Sequence, residues 1–435
     1  MGSVTCAKPW RDDAFNNPRG WQASDTDRRF AMSQDDDMTQ GSRRLFLADS
    51  VKLGAASLIG WSGPQFLIDH ALAALIDAPP GDPFARGERI GTLRFDDQKR
   101  TSRPREKAYG RGLEGRLRPD LSALTPDSLI TPNERFFIRT RCPDRIDYTK
   151  PWNIRIHGLL REPIDIPVHD IASRAQPMGV HLLECAGSGL GGLISAATWS
   201  GVAVSTVLSG ANALAGATRI RISGFDDHSK FDSGYDERGA DWIFTLDQLK
   251  ETGAFLATQM NGVALPRDHG YPIRLVVPGW YGCTCIKWLD EIEFVDDNAS
   301  ATRHMRQFAR RTHQAGVPRL AKDFQPAEID IAAMPVRVEK WRIQGKIVYR
   351  VVGILWGGKQ TTDALVIRFN ANEIYVPVES YEHETTKTWT LWTHAWHPPK
   401  PGKYVIQLQV DEPATRTRRL DRGVYQRVVR VEEVS

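Results

Sequence analysis

Cysteine is scarce in this chain. Five occur in 435 residues, Cys6, Cys142, Cys185, Cys283 and Cys285, an odd count at spacings that match neither a zinc site nor a dense disulfide framework. No Cys-x-x-Cys-His run is present, which excludes a covalently attached c-type haem, and the length leaves no room for an additional haem domain. Excess charge of one sign is missing too: 57 Lys and Arg stand against 53 Asp and Glu, a net +4. That bias is too weak to argue for nucleic acid. The 26 prolines and 36 glycines are few and scattered, which excludes a collagen-like or disordered chain. No apolar run has the ~20 residues of a stable membrane span. What remains is ordinary for a soluble globular protein, 41% hydrophobic and 25% charged, at a length that calls for two unequal domains plus a processing segment.

The N-terminus reads as an export address. Ser42-Arg43-Arg44-Leu45-Phe46-Leu47 precedes a weakly apolar stretch, Val51 to Leu67, and a small-x-small site, Ala71-Leu72-Ala73. This order resembles a twin-arginine signal, which carries folded cargo to the periplasm. An amphipathic globular helix with a chance Arg-Arg pair is the alternative reading, and Met32 or Met38 are alternative starts. Residues 1–73 are thus read as a leader and signal segment.

Beyond it the grammar changes twice. Residues 74–130, charged and rich in Pro and Gly, read as an extended lead-in wrapped on the surface. In residues 131–301 short β-like runs (Phe136 to Thr140, Ile154 to Gly158, Ile220 to Gly224, Ile273 to Val277) alternate with helix-like stretches such as Leu246 to Thr252, which predicts an α+β domain. A basic linker, 302–319, follows, and Arg303 to Arg311 within it reads as a solvated charge run. Residues 320–435 then alternate in strand fashion, from Val336 to Ile343 through Val424 to Val431. That half is expected to be an all-β sandwich.

The chemistry concentrates in the first domain. His181-Leu182-Leu183-Glu184-Cys185-Ala186-Gly187-Ser188-Gly189 is a β-like run ending at a cysteine and followed by small residues that admit a bulky ligand. Taken alone, Cys185 is either a soft metal ligand or a small buried hydrophobe. Further along, Met260-Asn261-Gly262, Pro266-Arg267-Asp268-His269-Gly270, Pro272-Ile273-Arg274-Leu275-Val276-Val277-Pro278-Gly279 and Cys285-Ile286-Lys287-Trp288-Leu289 form one long block. Together with Phe136-Phe137-Ile138-Arg139, Cys185-Ala186-Gly187 and Trp199-Ser200-Gly201-Val202, it strongly resembles the sulfite oxidase family of molybdenum enzymes.

The resemblance implies an α+β molybdopterin-binding domain followed by an immunoglobulin-like dimerisation domain. It implies that Cys185 ligates molybdenum and that Arg139 holds an anionic substrate. By the same resemblance His269, Arg274 and Lys287 grip the phosphate and pyran ring of molybdopterin and Asp226 contacts the pterin, while Phe137, Thr140, Arg141, Cys285 and Ile286 complete the cofactor-binding set. Phosphate-tailed cofactors do favour Arg, Lys and His donors, and a guanidinium reads oxyanions in bidentate fashion. Singly, Arg139 also fits a strand-end ion pair, His269 a turn histidine and Asp226 a turn former.

Departures from the family pattern fall around the substrate. Ser188-Gly189-Leu190 stands where the family carries arginine after the ligand cysteine. Asp241 to Leu246 lacks the family's tyrosine, and Tyr235 lies several residues away. Thr140-Arg141 replaces Asn-His, so that Arg141 supplies a lost charge or binds the pterin. Cys283-Thr284-Cys285, read as strand residues, would put both thiols on one face as a metal or redox pair, or simply pack against the pterin. The implied activity is oxygen transfer to or from a small anion, sulfite or a related sulfur compound. Electrons then pass to an external cytochrome c or haem subunit, in an exported homodimer. Reduction of an S-oxide or N-oxide is the alternative within the same cofactor class. A non-enzymatic exported binding protein is the alternative outside it.

Overall fold

A segment of apolar and small residues that includes three hydroxyls, Ile194–Ala203, sits inside the first sheet with most of its residues buried, as a strand covered on both faces requires. In the computed structural model its neighbours are Gln176–Glu184 on one side and Phe255–Met260 on the other, with Arg274–Val276 beyond, all antiparallel. A second sheet runs Ile164–Pro167, Asn153–Gly158, Leu289–Val295, Arg219–Gly224, Asp241–Thr245. Its one parallel pairing sets Ile292 opposite Ile156. The model describes residues 82–96, 106–144, 146–187, 192–225, 240–379 and 381–434. All lie in one compact unit, Gly81–Ser435, whereas the leader and the twin-arginine motif lie outside the described residues.

The C-terminal third builds two further four-stranded sheets. One orders Glu88–Leu93, Ala332–Ile343, Lys346–Trp356 and Thr390–Trp396, and the other Val376–Pro377, Leu365–Arg368, Gly402–Val410 and Arg427–Val431. Ala332–Ile343 and Lys346–Trp356 are joined by Gln344 and Gly345, at φ 49° and 82°. Positive φ at both central residues is what a two-residue hairpin needs to match strand twist. The two sheets pack through aromatic rings: Trp396 stacks on Phe369 at 4.3 Å and meets Tyr404 edge-on at 5.0 Å.

The fold is mostly β among the described residues. Helices are short, 4 to 6 residues for the α-helices Val168–Ala172, Val204–Val207, Leu246–Glu251 and Arg303–Phe308, so the expected α+β character reduces to caps and turns on sheets. Leu246–Glu251 starts where Thr245 and Gln248 make a reciprocal capping box. Three local expectations are corrected. Phe136 to Thr140 is no strand; only Ile138 makes an isolated bridge, to Leu117. Ala78 to Leu124 is not merely a surface wrap, since Glu88–Leu93 pairs with Ala332–Ile343 and Phe95, Leu117, Leu121 and Leu124 enter the core. Cys283-Thr284-Cys285 does not lie in a strand: Gly282–Thr284 is a 3-10 turn, with Cys285 following it.

Candidate active site

Cys185 ends the strand Gln176–Glu184, whose neighbour sets Glu184 opposite Ile194. The Cys185 amide still donates to the Leu193 carbonyl at 3.0 Å, so the backbone is held up to the thiol before the chain turns away. Cys185 is 6% exposed and lines a cavity of about 180 Å³. Burial pushes the thiol up, against the Gly187 amide, which donates to Sγ at 3.3 Å, and the nearby Arg139 and Arg311 charges.

Phe137, Arg139, Thr140, Cys185, His269, Arg274, Cys285, Ile286 and Lys287, singled out in the sequence, line that same cavity. Phe136 anchors the segment carrying Arg139: its ring lies against Phe137, Trp199 and His269 at 5.4, 6.0 and 5.3 Å. The Phe137 amide donates to Ser195 Oγ at 3.0 Å. Arg116, two residues past the 3-10 turn Gly112–Glu114, donates to the Arg139 carbonyl at 2.6 Å. Burial and the Arg139 charge lower its pKa to about 10.

The far wall is cationic. The turn Arg267–His269 closes at Gly270, φ 110°, where a Cβ would lie 3.1 Å from that of Arg274 and 3.2 Å from that of Lys287. Glycine satisfies both the left-handed backbone and the close approach. Arg274 is buried, and its Nη1 and Nη2 donate to the His269 and Cys285 carbonyls at 3.1 Å each. Its Nε has no hydrogen-bond partner. Lys287 Nζ donates to the carbonyls of Thr140 and Asp268. His269 Nε2 lies 3.0 Å from the Asn133 carbonyl, to which it donates as a neutral imidazole. Burial, then the Lys287 and Arg274 charges, lower its pKa to about 3. A buried guanidinium with an orphaned donor beside an ammonium is costly unless an anion arrives. The donor set therefore fits the phosphate-bearing end of molybdopterin, and the Cys185 thiol fits the metal.

One described sequence candidate falls elsewhere. Arg141 does not line the cavity; its Nε donates to Asp268 Oδ2 at 3.1 Å, and Asp268 Oδ1 accepts from the Cys142 amide at 2.8 Å. The Asp of the Pro-Arg-Asp-His-Gly run thus retains Arg141 outside. Asp226 lies outside the described residues, as do Tyr235 and Ser188 to Leu190. Conversely, Arg303, His304, Gln307 and Phe308 line the cavity although Arg303 to Arg311 reads as a solvated run. The corrective signal was there: Met305, Phe308 and Ala309 follow helical spacing and are buried. Cys283 lines the cavity too, and burial pushes its thiol up.

Glu184 and Arg418 tie this strand to the C-terminal sheets. Arg418 Nη1 and Nη2 donate to the two Glu184 carboxylate oxygens at 2.6 and 2.7 Å. Trp356 Nε1 donates to the same carboxylate at 2.8 Å, and Arg418 also reaches the Tyr281 and Tyr425 hydroxyls. Glu184, Trp356 and Tyr281 are buried, and the Arg418 side chain is 11% exposed, around the residue preceding Cys185.

Comparison with known proteins places the site in context. A family model described as an oxidoreductase molybdopterin binding domain matches residues 140–303, which include Cys185, His269, Arg274 and Lys287. A sulfite oxidase of Arabidopsis thaliana is 32% identical over 206 residues, 42% of this chain and 51% of the relative. A nitrate reductase (NADPH) of Fusarium oxysporum is 30% identical over 207 residues, 42% of this chain and 22% of that protein. The chain thus spans from about a fifth to about half of the length of these curated relatives. In fold, the sulfane dehydrogenase SoxCD of Paracoccus pantotrophus matches with a TM-score of 0.55 at 19% identity, covering 87% of this chain and 97% of that one.

Proposed function

We propose that this chain, similar to the sulfite oxidase family and matched by its molybdopterin binding domain, is a molybdopterin oxidoreductase that oxidises a small sulfur-containing anion, sulfite or a related compound, and passes the electrons to an external cytochrome c or haem subunit. The observation that carries the reading is the union of Arg139 and a cysteine thiol, Cys185, in one cavity with the cationic wall of Arg274 and Lys287. The relatives named sulfite oxidase and the fold shared with a sulfane dehydrogenase support sulfur over other centres.

The cofactor is molybdenum-molybdopterin. Bound here, it supplies two-electron oxygen-transfer chemistry. The chain's own residues do the positioning. Arg274 and Lys287, with His269 neutral between them, hold the phosphate end, and Cys185 offers its sulfur to the metal. Losing the Cys185 proton is opposed by burial and favoured by the Gly187 amide and the Arg139 and Arg311 charges. Arg139 binds and orients the anion, and its rigid fork stabilises charge that develops on the oxygens. In the same reading residues 320–435 form an immunoglobulin-like dimerisation sandwich after the catalytic domain 131–301 and the linker 302–319, and the protein is exported folded by the twin-arginine route.

The test is a steady-state assay of molybdenum-loaded protein with sulfite and thiosulfate against cytochrome c. Oxidation of a sulfur anion is expected, with Arg139→Gln raising KM by about tenfold or more while molybdenum content holds. The nitrate reductase relatives favour a second reading, oxyanion reduction. Reduction of nitrate or an S-oxide by an artificial donor, with no sulfur anion oxidised, would overturn the first.

A further inference from the structure

Arg311, an exposed residue outside the cofactor wall, stands close to the Cys185 thiol across Gly187. The helix Arg303–Phe308 starts at Thr302, whose Oγ1 accepts from the Met305 amide at 3.1 Å, and continues into the 3-10 turn Ala309–Arg311. Buried Met305, Phe308 and Ala309 fix this element. The Thr312 amide, bonded back to the Phe308 and Ala309 carbonyls, closes it. Arg311 leaves its end with the guanidinium carbon 5.8 Å from the Phe308 ring centre. There Nη1 sits 2.8 Å from the point a Cβ on Gly187 would occupy, and Cys185 Sγ lies 3.6 Å from that same point.

The position needs glycine for space alone. Gly187 does not have a positive φ, so an alanine would fit the backbone and collide with the guanidinium. Alanine there would drive Arg311 off the sulfur or leave a contact tighter than side chains tolerate. Arg139 approaches the same thiol from another segment, and Arg311 acts electrostatically on Cys185 and Cys283 together. Two guanidinium groups over one metal-ligating sulfur form a binding arrangement for an oxyanion with at least two free oxygens.

We infer that Arg311 is a specificity-determining residue, the second guanidinium of an oxyanion subsite above Cys185, and that Gly187 is small so that Arg311 can reach it. The inference rests on the sulfur-anion reading for its substrate, but the subsite binds an unreactive oxyanion equally. It is tested with sulfate, titrated calorimetrically into molybdenum-loaded protein at low salt. Arg311→Gln weakens sulfate binding by about tenfold or more and Arg311→Lys by less, since a lysine keeps the charge and loses the fork. Gly187→Ala weakens it with Arg311 still present. Arg310→Gln, the same charge change at a neighbouring residue that is exposed like Arg311, stays within roughly twofold, because Arg311 and not Arg310 stands beside Gly187. Molybdenum per chain is unchanged throughout. Failure of wild type to bind sulfate, or Arg311→Gln binding it within roughly twofold of wild type, overturns the subsite. Tight, Arg311-dependent sulfate binding in a protein that oxidises no sulfur anion would overturn the substrate reading alone.

Discussion

His269 shows how strongly one residue registers its surroundings. Its imidazole titrates near the ordinary 6.5 in the unfolded chain and near 3 in the folded one, because burial and two neighbouring cations oppose its charge. Between those values the unfolded state holds a proton that the native state refuses, so stability falls as pH drops from about 6.5 toward about 3. In cofactor-free protein, His269→Gln therefore loses less stability between pH 7 and pH 4, by on the order of 3 kcal/mol. Urea melts of both proteins across that range read the difference, and parallel pH dependences would refute the assignment. The Arg139 and Arg311 substitutions belong to this scale as well, since each removes one positive charge that acts on the Cys185 thiol. His269 and Arg274 were legible in the sequence because their motif is contiguous. Arg311 was not, because its approach to Cys185 spans chain segments far apart and depends on the missing side chain of Gly187.

Among elements, the strand Gln176–Glu184 and the segment carrying Arg418 act as one piece. Their buried, bidentate ion pair carries a Trp356 hydrogen bond and two tyrosine hydroxyls. Taking the carboxylate away leaves a guanidinium buried without its counter-charge. Glu184→Gln is accordingly expected to cost roughly 3 to 5 kcal/mol, and a second change, Arg418→Met, to recover much of it. Denaturant titration of the single and double variants decides this, and additive losses would show that the two residues are not coupled. This link could not be read from sequence, since Glu184 and Arg418 are far apart in the chain. In the strand Ala332–Ile343 the stretch from Val336 to Ile343 was legible and the first four residues were not. Ile194–Ala203 and Phe255–Met260 were not, because burial on both faces erases the alternation that marks a strand. Arg303–Phe308 was misread for the opposite reason: its charge masked two buried positions, Met305 and Phe308.

At the scale of the whole molecule, loops and strand ends from both sheets of the first domain meet at one cavity. The Cys185 end of one strand, the turn before Arg274, the Arg139 segment and the helix Arg303–Phe308 supply its walls. No single element carries the site, so its chemistry depends on the sheets staying in register with one another. The C-terminal part of the chain contributes through Arg418 and Trp356, which grip Glu184, the residue next to Cys185. The claim on which everything else rests is that Cys185 gives its sulfur to molybdenum held by the pterin. Molybdenum K-edge X-ray absorption on the loaded wild type and on Cys185→Ser tests it most directly. The account predicts close to one molybdenum per chain in the wild type and one fewer sulfur around the metal in the variant. Identical sulfur shells in the two proteins would contradict it.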